Sequence, residues 1–396
     1  MTDTATILDR IRAAMTVSDV KQQELGGAIG LSKSVMSRVM SGQRKLSAAE
    51  LGAIADELGV PVAQLLGQSS SASRPLAVAA RLGQAEHAVE LNPAFGRARS
   101  LLELRALLDR IVAGPAPAPS VRVSKPSTTM YTRAAALMAA AVREQLGLGD
   151  EPVQDLPQLL RTHFGIDVSL EPMPEDIAGL FITDPTAGAD ASERLAVMLV
   201  NSVDTFGRQR FTTAHELGHH LFEDAELFWV DYRGGNDMKE KRANAFASCF
   251  LMPAGGVHQV MRQLGPVPAD EDGRHNWVAA FVVEVSLRFG VSVESATFRC
   301  RKLELISAAD QAWAESERAH RLLGRVKRTS DRDALEAHQN VVAPPPALVE
   351  QALFAYSEGM VGIGPLAELW LADDAEVLRR QLAEADWVPV FADSVQ

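Results

Sequence analysis

"RQRFTTAHELGHHLFE", residues 208–223, sets His215 and His219 four positions apart with Glu216 beside the first. On an α-helix, residues four apart lie about 40° from one another around the axis, so both imidazoles project from one face and can share an ion. The other positions carry the apolar stripe of a buried helix, Phe211, Ala214, Leu217 and Leu221, and Gly218 leaves room for a close neighbour. Two imidazoles buried there without a metal or a hydrogen-bond partner would cost free energy. Zinc in hydrolytic sites takes three protein ligands and leaves a position for water. HExxH on a helix supplies two ligands and a glutamate that takes a proton from the attacking water. His215 and His219 are therefore candidate metal ligands and Glu216 the candidate general base. The expected cofactor is one Zn2+ per chain, or another divalent metal.

A third ligand is expected on a later element. "EKRANAFASCFLMP", residues 240–253, offers Glu240, with Asn244 one turn on and Ala243, Phe246 and Ala247 packing inward. Asn244 would accept the second ring N–H of a ligating histidine. Solvent-facing charges on an amphipathic helix account for Lys239, Lys241 and Arg242 but leave Asn244 on the wrong face. Tyr232 is a candidate donor to a transition-state oxyanion. His163, His220 and His258 have no spacing that ties them to the site, and Cys249 reads as a small buried hydrophobe.

Together, "RFTTAHELGHHL", the later "EKRANAFA" and "FLMP" resemble the ImmA/IrrE family of metallopeptidases over about residues 128–307. The resemblance implies a gluzincin-like fold in which His215, His219 and Glu240 ligate zinc and Glu216 is the base. Phe250 stands where that family commonly has leucine.

The opening of the chain has a different grammar. "QQELGGAIGLSKSVMSRVMSGQRKLS", residues 22–47, reads as a helix with Leu25 and Ala28 inward, a turn at Gly30, and a second helix with Val35, Met36 and Val39 inward. Ser32 and Ser47 sit at N-cap positions. The segment resembles the Cro/repressor-like (XRE) helix-turn-helix family over residues 5–67. That likeness implies DNA contacts from Gln22, Ser32, Lys33, Ser34, Ser37 and Arg38, with Arg44 and Lys45 on phosphates. Gly26 and Gly27 weaken the first helix. Such modules pair on two-fold sites, so a homodimer on a double-stranded DNA operator is expected. A bundle that binds protein, or only dimerises, is the competing reading.

Charge agrees with a local DNA face. The chain of 396 residues has a formal net charge of -12, yet between Lys21 and Lys45 five basic residues stand against Glu24 alone. Two cysteines, Cys249 and Cys300, are too few for a disulfide framework and fit a reducing cytoplasm. The start, MTDTATILDR, has no export-signal pattern, and no stretch approaches the roughly 18 apolar residues of a membrane span.

The expected fold is mainly α (α+β): residues 1–68 an all-helical helix-turn-helix bundle, 69–127 a helical connector ending in a Pro/Ala/Ser linker, 128–308 a peptidase domain with a small sheet, and 309–396 a helical region of unknown role. Three β-like runs, IDVSLEP, GLFITD and LAVMLVNS, supply the sheet. "GIGPLA", residues 362–367, fits a nucleotide fingerprint formally but lacks the preceding strand, and reads as a turn opening a helix.

Three readings of function follow. One is a cytoplasmic DNA-binding regulator whose zinc peptidase cuts a partner protein, a repressor or antitoxin, under stress. Another is a non-proteolytic transcription factor whose peptidase-like domain senses a metabolite or protein partner. A place as the antitoxin-like half of a paired operon is a third.

Overall fold

Side chains at the helix starts do much of the local work. In the computed structural model, Ser32 Oγ accepts from Val35 N, and Ser47 Oγ accepts from Glu50 N while Glu50 returns a bond to Ser47 N. The structure describes residues 4–17, 20–58, 65, 92–112, 120–183, 195–224, 228–232, 237–328, 330–331 and 339–389. The chain divides into two compact units, residues 1–89, 99–116 and 346–396 in one and residues 90–98 and 117–345 in the other.

The first unit begins with α1 (Thr4–Val17), α2 (Gln22–Ala28), α3 (Lys33–Met40) and α4 (Ala48–Glu57). Leu8, Ile11, Leu25, Met36, Val39 and Ile54 close a core of their own. Two inward expectations fail: Ala28 is exposed and Val35 half-buried, while Ile29 and Leu31 of the turn pack against the core. Of the expected helix at 62–67 only Leu65 is described, and it is buried; residues 66–91 lie outside the described residues. Next comes α5 (Asn92–Ile111), whose residues from 99 onward belong to this unit.

The second unit holds α6 (Tyr131–Gln145), α7 (Leu156–Phe164), β1 (Ile166–Glu171), β2 (Ile177–Thr183), β3 (Ala196–Asn201), α8 (Phe206–Leu221), β4 (Phe228–Tyr232) and α9 (Met238–Leu251). Five more helices complete it: α10 (Ala254–Leu264), α11 (Glu271–Phe289), α12 (Val293–Lys302), α13 (Ala308–Ser316) and α14 (Ala319–Arg325). The sheet order is β1-β3-β2-β4, with β1 parallel to β3 and the other pairs antiparallel. Every residue of β3 is buried, the pattern of a central strand covered on both faces. β4 was not among the expected strands. Its FWVDY run is short and sits between acidic and glycine-rich stretches, and pairing with β2 is what makes it a strand.

Part of the expected linker is held in place. Arg122 N donates to Gln145 Oε1 at 3.0 Å, Gln145 Nε2 donates to Arg122 O at 2.7 Å, and Val121 is buried. The last helices, α15 (Pro346–Ser357), α16 (Gly364–Leu369) and α17 (Ala375–Glu384), group with the first unit. Gly364 opens α16, as the turn reading of GIGPLA expects.

Candidate functional site

Helix α8 is buried well beyond a single stripe. Between Thr212 and His219 every residue is buried, while Phe211 and Leu221 at its margins are half-buried. The helix is covered by β2 and β3 and by α9, so its polar residues face protein. At Gly218 an added Cβ would stand 3.1 Å from Phe246 Cδ1 and 3.3 Å from Ala243 Cα. That close approach brings α9 against α8. Arg210, buried with its carrier helix, donates to Val153 O at 2.6 Å and fastens α8 to the turn before α7.

On α9, Asp237 caps the helix by accepting from Lys239 N and Glu240 N, which places Glu240 in the first turn. Its two oxygens then lie 3.2 Å from His215 Nε2 and 3.2 Å from His219 Nε2, and the two Nε2 atoms are 3.0 Å apart. All three side chains are buried, and they form the one such His/Glu group among the described residues. Asn244 Oδ1 lies 3.1 Å from His215 Nδ1, and Asp224 Oδ2 lies 2.9 Å from His219 Nδ1. Both partners are oxygen acceptors, so the hydrogen-bond network assigns each ring proton to Nδ1 and leaves the Nε2 lone pairs facing Glu240.

These residues fit a metal ion. Three acceptor groups converge on one point, which repels unless a proton or cation lies between them. A tetrahedral zinc with bonds of about 2.0–2.1 Å separates its donors by about 3.3 Å, close to the 3.0–3.2 Å found here. Without a cation, protons take its place. Burial opposes a charged His219, but hydrogen bonds to Asp224 and Glu240 outweigh it and raise its pKa. Burial likewise pushes Glu240 up, yet bonds from His215 and His219 bring its carboxyl down to about 2.

Glu216 is only 1% exposed. Its carboxylate lies against β2, where a Cβ added at Gly179 would stand 3.4 Å from Glu216 Oε1 and 3.1 Å from Thr212 Cγ2. Tyr232 lies in β4, its backbone paired with Ile177, but its side chain falls outside the described residues. The other histidines are engaged elsewhere: His163 Nδ1 with Ser120 Oγ at 2.7 Å, His258 Nδ1 with Ala254 O at 2.7 Å, and His220 against the Phe181 ring. Cys249 is half-buried and its sulfur accepts from Arg299 Nη1 at 3.3 Å.

Asp224 is the functional residue that the pattern of the sequence missed. It sits in the turn just past α8, where its N–H donates to His219 O at 3.0 Å. Arg242 donates to its other oxygen and lies 4.2 Å from the centre of the Phe222 ring, so Arg242 is no simple solvent-facing charge. An acid one turn after the second histidine is a faint signal, because acids are common after helices.

On the head, Gln22, Ser32, Lys33, Ser34, Ser37, Arg38 and Lys45 are all exposed. Lys33, Ser34, Ser37 and Arg38 share the outer face of α3, as their i, i+1, i+4, i+5 spacing requires. Arg44 differs. Its Nη2 lies 2.8 Å from Glu50 Oε1, so a phosphate reaching Arg44 would compete with the acid that caps α4.

Residues 161–301 match the Peptidase_M78 family model, described as an IrrE N-terminal-like domain. This M78-like domain, the matched span, contains β1 to β4 and helices α8 to α11. No curated protein sequence matches the chain. Among solved structures, Bacillus thuringiensis PlcR in complex with the peptide PapR7 and DNA is similar at 12% identity, over 83% of this chain and 98% of that chain. Its TM-score of 0.18 is too low to say anything of this fold. Among the described residues, no helix is long and apolar enough to cross a membrane.

Proposed function

We propose that this chain is a DNA-binding regulator that carries a zinc-dependent metallopeptidase and cuts a partner protein, a repressor or an antitoxin. The enzymatic half rests on the convergence of His215, His219 and Glu240 at 3.0–3.2 Å with both Nδ1 atoms already engaged. Those three residues would hold the cation. When bound, zinc supplies Lewis acidity toward a carbonyl and toward water. Glu216 takes the proton of the attacking water as its oxygen bonds to the peptide carbon, and delivers a proton to the amine as the C–N bond breaks. Asn244 and Asp224 keep the two rings oriented. Burial of His215, Glu216, His219 and Glu240 excludes bulk water and strengthens the interactions among them.

The DNA-binding half is supported by an outward face of α3 that bears Lys33, Ser34, Ser37 and Arg38, flanked by Gln22 and Lys45, within a bundle that has its own core. Phosphates supply most of the affinity at such a surface, and a double-stranded operator read by a homodimer is the natural partner.

Glu216→Gln tests the enzyme. Zinc should stay at one per chain while cleavage of candidate repressors or antitoxins falls by about 10²–10⁴-fold. Unchanged cleavage would remove the proposed base. One zinc per chain in a wild-type protein that cuts no partner would favour a non-proteolytic regulator that senses a metabolite or protein.

A further inference from the structure

The three carboxy-terminal helices have no role in either half of that proposal, yet they pack with the head. Gly52 lies in the middle of α4, where glycine is disfavoured and needs a packing reason. The core residues of α4 are Leu51, Ile54 and Ala55, with Leu58 just past its end, and Gly52 is aimed elsewhere. Among the described residues, a Cβ built on it meets the turn before α16, at 3.5 Å from Gly362 N and 3.9 Å from Val361 C. Backbone therefore meets backbone at this point.

Around that contact lies a cleft of about 520 Å³, with Ala28, Ile29 and Glu57 on its head side and Val361, Arg379 and Trp387 on the carboxy-terminal side. Polar contacts also tie α15 to α5, outside the head's own core. Arg105 of α5, only 2% exposed, donates to Gln351 Oε1 of α15, and Gln351 Nε2 donates to Asp109 Oδ1 at 3.2 Å. The outer face of α3 is not covered: Lys33, Ser34, Ser37 and Arg38 remain exposed.

From this we infer that α15–α17 are a brace for the helix-turn-helix head, docked on α4 and the end of α2, and that the brace sets how firmly the head holds duplex DNA. A bundle this small buries little apolar surface by itself, so an extra layer behind it changes its rigidity. Because the layer lies away from the α3 outer face, it supports binding and does not block it. The consequence for DNA rests on the reading of the head as a DNA-binding module; the docking does not.

The experiment uses the full chain and three variants. Gly52→Ala adds a methyl at ordinary contact distance and should behave as wild type. Gly52→Leu should drive the turn off α4. Ile363→Asp, at a residue 2% exposed that follows Gly362 and lines the cleft, disturbs the turn from the other side and lies outside the bundle core. Hydrogen exchange is followed at residues 355–370, and affinity for a random-sequence duplex is measured at low salt. In Gly52→Leu and Ile363→Asp, exchange should quicken about tenfold or more, and the duplex should bind about fivefold or more weakly. Exchange unchanged in both variants overturns the brace, and so does faster exchange with duplex affinity intact. If the wild-type chain holds no duplex at all, the DNA-binding reading falls, and exchange alone judges the docking: shared quickening upholds it and wild-type protection in both variants overturns it.

Discussion

His215 and His219 are held by different partners, a neutral amide for one and a carboxylate for the other. A carboxylate on Nδ1–H makes the imidazole a stronger base and a stronger ligand, so with zinc bound as proposed Asp224 should contribute more to its affinity than Asn244. Replacing Asp224 with alanine should weaken zinc binding by about 10–100-fold, read by competition with a chelator. Asp224→Asn keeps an oxygen acceptor for His219 and should lose less. Equal zinc affinity in wild type and Asp224→Ala would mean that the ring is oriented by packing alone. The HExxH spacing and the Glu240/Asn244 pair could be read from residue order because one helical turn sets each of them. Asp224 could not, since its approach depends on how the chain turns after α8 and on Arg242, which arrives from α9.

At the level of elements, the site depends on two helices packed at glycine distance. Gly218→Val would collide with Phe246 and Ala243 and push α9 outward, carrying Glu240 away from the histidines. The expected outcome is a fall in zinc per chain together with a lower melting temperature. A variant with full zinc content would show that α9 reaches the metal without that close approach. The helices outside the site are secured by caps. Ser307 and Asp310 form a reciprocal capping box at the start of α13, and Asp310 also pairs with Arg274 of α11 at 2.6 Å. Hydrogen bonds from Arg274 outweigh burial and bring the Asp310 carboxyl down from 3.8 to about 2. Its folded pKa lies below the unfolded one, so its stabilisation is complete above about pH 4 and disappears as the pH falls towards 2. Urea melts of Asp310→Asn should show lower stability at pH 7 and a shallower loss than wild type between pH 4 and 2. Parallel curves in that window would refute the role given to Asp310. Most helices and the three core strands were legible from periodicity and caps, whereas β4 is too short and too polar at its margins to declare itself before β2 pairs with it.

On the scale of the molecule, a metal that binds only the folded M78-like domain must stabilise that unit and not the head. At a free zinc concentration of about 100 Kd the gain is about 2.7 kcal/mol, or roughly 5–10 °C for a unit of this size. Calorimetry with and without a chelator should therefore move one transition and leave the other in place. A shift of both transitions would show the two units to be energetically coupled. Residue order was enough to expect short helices near the start, the helix of His215 and His219 near the middle and a glutamate brought to them by the next helix. Each of these is a pattern repeated within one or two helical turns, where geometry is local and nearly invariant. Folding alone brought Asp224 to His219, engaged Arg44 with Glu50, tied Arg122 to Gln145 at the end of α6 and grouped α15–α17 in one unit with the head. Those contacts join segments far apart along the chain or depend on the path of a turn, and which of many chemically similar partners meet is settled only when the cores close.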